Sequence, residues 1–116
     1  MDEVASILVV EDDAALRMVC RVNLELDHFR VREAGGLDEA RAAVAEERPS
    51  LVFLDLHLGP GASDTLLDEL RADGIPVVLV SGTVDVTEYA NRATAVMPKP
   101  FDPSDLVAAA HRHSVG

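Results

Sequence analysis

Three short apolar runs constrain this chain more than anything else in it: Ile7-Leu8-Val9-Val10, Leu51-Val52-Phe53-Leu54 and Val77-Val78-Leu79-Val80. Each is rich in β-branched residues, too short for a buried helix and bounded by polar or turn residues. Each therefore predicts a strand covered on both faces, as strands in parallel sheets are. Phe29-Arg30-Val31-Arg32-Glu33-Ala34 instead alternates apolar with charged residues, the pattern of a half-exposed strand near a sheet edge. Ala95-Val96-Met97 is a fifth, shorter candidate.

Helical patterns separate these runs, over Ala14 to Leu26, Leu37 to Glu47, Ser63 to Ala72, weakly Val86 to Arg92, and Pro103 to Arg112. Asp102-Pro103-Ser104-Asp105 places an N-cap acid, a first-turn proline and a following acid at a helix start, and Gly74 before Pro76 stops the third helix. Strand and helix alternate five times within 116 residues, with no repeat, linker or composition shift. The expectation is one domain over residues 1–116, a five-stranded parallel α/β doubly wound sheet with helices on both faces.

Hydrophobic residues make up 48% and charged residues 27%, enough apolar material for a packed core. The net charge of −11 argues against nucleic acid or an anionic membrane as partner, since both recruit clustered Lys and Arg. The single cysteine, Cys20, lies among Leu16, Val19 and Leu24 and is expected as a buried reduced thiol. Met1-Asp2-Glu3 does not resemble a signal peptide and no apolar stretch approaches membrane-spanning length, so a cytoplasmic location is expected.

In doubly wound sheets the working site lies beyond the carboxyl ends of the strands. Strand one ends in Glu11-Asp12-Asp13, strand three in Asp55, strand four in Ser81, and strand five leads to Lys99. With strand order 2-1-3-4-5 these ends are neighbours. Clustered carboxylates repel unless a cation or shared protons compensate, and an all-oxygen set favours a hard ion such as Mg²⁺. Asp55 then becomes a candidate nucleophile on phosphorus, with Ser81 and Lys99 to hold phosphoryl oxygens. Lys99 is the only lysine beside nine arginines, a compact ammonium on a flexible stem.

The segments Ile7–Asp13, Leu51–Leu56, Val80-Ser81-Gly82 and Lys99-Pro100-Phe101 together resemble the receiver domain of bacterial two-component response regulators, along essentially the whole chain. The resemblance implies a flavodoxin-like topology, a phosphoacceptor at Asp55 and an acidic pair at Glu11 and Asp12. It implies Mg²⁺ held by Asp12, Asp55 and the backbone carbonyl of His57, with Glu11 beside them, a switch hydroxyl at Ser81, an active-site lysine at Lys99 and a cis Lys99–Pro100 bond. The implied partner is a histidine kinase or histidine phosphotransfer protein, and the expected output, with no DNA-binding segment in the given chain, is a protein contact or an upstream phosphate-shuttling role. Beyond self-phosphorylation and self-dephosphorylation at Asp55, no enzymatic activity is implied.

Three positions depart from the family pattern. Val96 stands where an aromatic switch residue is usual, and Gly59 where proline is general. The span from Ser81 to Lys99 is short, so the fourth helix is expected to be short or irregular. In these respects the chain resembles the divergent single-domain receivers of alphaproteobacteria.

Blander readings stand beside these. Asp13 is expected to cap the first helix while Glu11 and Asp12 face the site. His28, His111 and His113 read as solvated helix ends, and Tyr89 with Val84 and Val86 as packing over the sheet edge or a partner surface. The competing functions are a phosphorylation-silent docking module and an aspartyl-phosphate phosphohydrolase, which wants an acid where His57 stands. Flavin binding is disfavoured by Glu11-Asp12-Asp13 in place of a phosphate loop.

Overall fold

The computed structural model describes residues 5–59, 61–82, 89 and 91–114. Five parallel strands, β1 (Ser6–Val10), β2 (Arg30–Ala34), β3 (Leu51–Asp55), β4 (Val77–Ser81) and β5 (Ala95–Pro98), lie in the order β2-β1-β3-β4-β5. Helices α1 (Ala14–Leu26), α2 (Leu37–Glu46), α3 (Ala62–Ala72) and α4 (Pro103–His113) cover the two faces. This is the expected flavodoxin-like architecture, with boundaries within a residue or two of those read from the pattern.

The continuous apolar runs serve both faces at once. Leu8, Val10, Val52, Leu54, Val77 and Leu79 pack with α2 and α3, while Ile7, Val9, Leu51, Phe53, Val78 and Val80 pack with α1 and α4. Side chains alternate across a strand, so a strand covered twice needs apolar residues at every position. Phe53 is 2% exposed at the centre of the second layer. Phe53→Ala should lower unfolding free energy by about 3–5 kcal/mol, read by chemical denaturation. An edge position explains the charged alternation of β2, whose half-buried Arg32 has structural work. Arg32 donates through Nη1 to Ala43 O at 2.6 Å and through Nη2 to Glu47 O at 2.5 Å, capping the end of α2.

Asp13 caps α1, its Oδ1 accepting from the amides of Ala15 at 3.0 Å and Leu16 at 3.2 Å. The Asp105 carboxylate accepts from Asp102 N–H at 3.3 Å at the start of α4, and Gly74, at φ +74°, ends α3. Cys20 is buried, and that burial pushes its thiol up to about 11. His111 is exposed in the last turn of α4, as expected, and is also tied down there. Its Nε2 bonds Asp27 Oδ2 and its ring lies 4.8 Å from that of Phe29, tying α4 to the turn after α1. The weak helix expected over Val86–Arg92 lies mostly outside the described residues, as do Val84 and Val86. Tyr89, which is described, is 8% exposed within the α2/α3 layer, so it packs rather than offering a partner surface. Among the described residues no helix is long and apolar enough to cross a membrane.

Candidate functional site

Because the strands are parallel and in register, the residues after them emerge at one edge of the sheet. Asp55 closes β3 at 3% exposure and Ser81 closes β4 at 3%. Glu11 follows β1 at 4% exposure, whereas Asp12 is exposed. Glu11, Asp12 and Asp55 each offer one carboxylate oxygen such that the three lie within 4.8 Å of one another. Lys99 arrives from β5, where Lys99 N donates to Ser81 O at 2.8 Å, and Lys99 precedes a cis bond to Pro100 as the resemblance implied. The floor beneath is apolar, formed by Val9, Phe53, Val80 and Phe101.

Charge decides how this cluster is tolerated. Lys99 Nζ donates to Glu11 Oε1 at 2.8 Å and lies 3.5 Å from Asp55 Oδ1. The ammonium therefore stands first on Glu11 and second on Asp55. Burial raises the Glu11 carboxyl to about 7 against the opposing bond from Lys99, with Asp55 and Asp12 adding to the rise. Asp12 moves the other way, held below its ordinary value by a hydrogen bond from Glu11. The two carboxyls behave as a pair sharing a proton when no cation is present. Lys99 sits above its ordinary value: burial pulls it down, and the bond to Glu11 and the charge of Asp55 outweigh that.

Three further residues, Ser63, His57 and Arg17, brace the site. Ser63 Oγ, buried in the first turn of α3, donates to Asp55 O at 2.7 Å and accepts from Leu58 N at 3.4 Å, fixing the loop after β3. His57 N donates to Asp55 Oδ1 at 3.1 Å, while its exposed imidazole brings Nε2 within 3.4 Å of Ser81 Oγ. Arg17 Nη1 donates to Glu11 O at 2.6 Å. The His57 amide bond is the local Asx turn open to a strand-end aspartate, whereas the contacts of Ser63, Arg17 and the His57 ring depend on where the fold sets a distant atom. The six residues expected at the site, Glu11, Asp12, Asp55, His57, Ser81 and Lys99, lie at this edge, and Asp13 caps α1 beside them.

A family model described as the response regulator receiver domain matches residues 7–111. The DNA-binding response regulator MtrA of Mycobacterium tuberculosis is 38% identical over 108 residues, covering 88% of this chain and 47% of that protein. The phosphate regulon transcriptional regulatory protein PhoB of Pseudomonas aeruginosa is 34% identical over 113 residues, covering 89% and 48%. The chain thus spans about half the length of these curated relatives. The crystal structure of the receiver domain of NtrX from Brucella abortus superposes with a TM-score of 0.84 at 31% identity, covering 92% of this chain and 96% of that one. The chemotaxis protein CheY4 of Vibrio cholerae reaches a TM-score of 0.87 at 20% identity, a likeness of fold alone, over 96% of this chain and 99% of that one.

Proposed function

The chain belongs to the response regulator receiver domain family, whose members are signalling proteins rather than classical enzymes, and from that premise we propose that it is a phosphoacceptor switched by Mg²⁺-dependent phosphorylation of Asp55. The receiver unit is taken to span residues 1–116. The observation that carries this reading is one constellation: a buried strand-end carboxylate, two further acids with oxygens within 4.8 Å, and the chain's only lysine reaching two of the three.

Asp55 is the attacking group. One of its carboxylate oxygens bonds to the phosphorus of a partner's phosphohistidine as the P–N bond breaks, and the imidazole nitrogen keeps the electron pair and takes a proton. The donor set suits a hard cation, being all oxygen and carrying more negative charge than Lys99 alone offsets. Asp12, Asp55 and the His57 carbonyl would hold Mg²⁺, with Glu11 alongside. Held there, it would supply positive charge to offset the carboxylates and the incoming phosphoryl group. Lys99 would move from Glu11 toward the new phosphoryl oxygens, and the Ser81 hydroxyl would turn toward them from its place beside His57.

The source of the phosphoryl group is a histidine kinase or histidine phosphotransfer protein, and the product is an altered protein-binding surface. Val96 is too small to report by swinging in or out of the sheet edge. Tyr89 and Arg92 are better placed. Tyr89 Oη donates to Asp64 Oδ1 at 3.1 Å, and Arg92 pairs with Asp64 at 3.0 Å and Asp68 at 3.1 Å. Asp64 follows Ser63, which is bonded to the Asp55 carbonyl. Once Lys99 is drawn from Glu11 to the phosphoryl oxygens, the resulting shift at Asp55 has a short route through the start of α3 to Tyr89.

The test is incubation with acetyl phosphate or phosphoramidate, with and without Mg²⁺, read by intact mass. One adduct that requires Mg²⁺ is expected; no adduct under either condition favours the phosphorylation-silent docking module.

A pH dependence follows from Glu11. Its folded value, about 7, lies above its ordinary 4.5, so the folded chain binds the proton more tightly than the unfolded chain between those limits. Stability of the metal-free protein should accordingly fall as pH rises from about 4.5 to about 7. Asp12 is shifted downward from 3.8, so its contribution changes below this window. Mg²⁺ must displace the shared proton, so its affinity should weaken from about pH 8 to about pH 6, checked by calorimetric titration. An affinity flat across that range would remove Glu11 from the site.

A further inference from the structure

The acidic pair is only as well placed as the backbone beneath it. Glu11 and Asp12 stand on the short link between β1 and α1, close to the carboxylate of Asp55. Glu11 N donates to Ala34 O at 3.0 Å, which ties one side of the link to the end of β2. The other side is held by Arg17, which reaches back from α1 and donates through Nη1 to Glu11 O at 2.6 Å. The same guanidinium is itself anchored, Nε donating to Glu33 Oε1 at 3.1 Å, while Glu33 Oε2 forms an ion pair with Arg21, 2.8 Å from its Nε.

Gly35 belongs to this arrangement. A Cβ there would stand 3.2 Å from Arg17 Nη1 and 3.3 Å from Glu39 Oε1, so a bare backbone leaves room for the guanidinium. The chemistry differs from that of Lys99. Lys99 occupies a carboxylate oxygen of Glu11, which a cation would also use. Among the described residues Arg17 bonds Glu11 through its carbonyl and pairs with the carboxylate of Glu33, so it braces the link while leaving the acids' oxygens available. A planar fork bridges a carbonyl and a carboxylate in fixed geometry, which a single ammonium cannot reproduce.

We propose that Arg17 is a positioning residue for Glu11 and Asp12: by holding the peptide between them it presets the acidic pair for a hard divalent cation without contacting that cation. The inference rests on the reading of this cluster as a Mg²⁺ site.

Calorimetric Mg²⁺ titration and amide hydrogen exchange of the metal-free protein, on wild type, Arg17→Ala, Arg17→Lys and Asp12→Ala, test it. Arg17→Ala should bind Mg²⁺ about tenfold more weakly, as loss of an outer supporting contact does. Its Asp12 and Asp13 amides should exchange faster, with β3 protection unchanged. Arg17→Lys, able to reach the carbonyl or Glu33 but not both, should fall between. Wild-type Mg²⁺ affinity in Arg17→Ala overturns the proposal, and so does a loss accompanied by equal loosening of β3, which would mark plain destabilisation. Should Arg17→Ala fail to fold, Arg17→Lys decides alone: weaker binding with faster Asp12 exchange supports the proposal, and wild-type behaviour overturns it. Asp12→Ala separates the two levels. If it loses Mg²⁺ while Arg17→Ala does not, only the role of Arg17 falls; if it keeps wild-type affinity, the site reading fails and takes this inference with it.

Discussion

Asp55→Asn is expected to abolish phosphoryl uptake outright while leaving the protein folded and slightly more stable at neutral pH. The amide keeps the size of the carboxylate and an oxygen able to accept from His57 N, which donates to Asp55 Oδ1 at 3.1 Å. It lacks the anionic oxygen that attacks phosphorus. Removing that charge also relieves Glu11, whose carboxyl is raised in part by Asp55, so Glu11 ionises at less cost. Intact mass after acetyl phosphate and Mg²⁺ should show no adduct, and denaturation midpoints should rise. An adduct on the Asn variant would place the acceptor elsewhere, and a strongly destabilised variant would make Asp55 a structural acid.

The chain announced its strands because burial on both faces leaves no latitude: Leu51 to Leu54 must be apolar throughout, and its ending at Asp55 is conspicuous for that reason. Parallel pairing then carried the argument from strand ends to a site, since Glu11 and Lys99, far apart in the chain, meet only if β1, β3, β4 and β5 are ordered side by side. The resemblance added roles that geometry of that kind does not supply, the phosphoacceptor above all. What stayed illegible were contacts to backbone atoms. Ser63 sits in an ordinary helix start until the fold points its hydroxyl at the Asp55 carbonyl, and Arg17 is one of nine arginines until it reaches Glu11. His111 is the solvated helix end its position implies, but nothing local announces its bond to Asp27 or its ring contact with Phe29. Even Lys99 was only half read, because the pattern set it against a phosphoryl group and could not show that Glu11 holds it first.

That resting contact makes Lys99→Ala the most informative variant after Asp55→Asn. Deleting one partner of a buried pair typically costs about 3–5 kcal/mol, because the survivor is left charged and unsolvated. Here the survivor has an escape, since Glu11 already lies near 7 and moves further up once the ammonium is gone. At about pH 6 Glu11 is protonated in both proteins and the deficit should be modest. Above pH 7 the wild-type penalty levels off, whereas the variant's keeps growing by up to about 1.4 kcal/mol per pH unit until its own Glu11 ionises. The stability gap should therefore widen between about pH 6 and about pH 8. A gap constant across that range would mean that Lys99 does not govern Glu11. In signalling, Lys99→Ala should still accept a phosphoryl group, because Asp55 and the acidic pair remain, but should transmit it poorly, because the residue that would leave Glu11 for the phosphoryl oxygens is missing. Tyr89, the only tyrosine in a chain without tryptophan, reports this. With Mg²⁺ and beryllofluoride, wild-type emission should change as the Asp64 contact is disturbed, and the variant's should not. A full Tyr89 response in Lys99→Ala would show that the signal travels through Ser63 and α3 without the lysine, and the division of roles between Lys99 and the metal-binding acids would have to be abandoned.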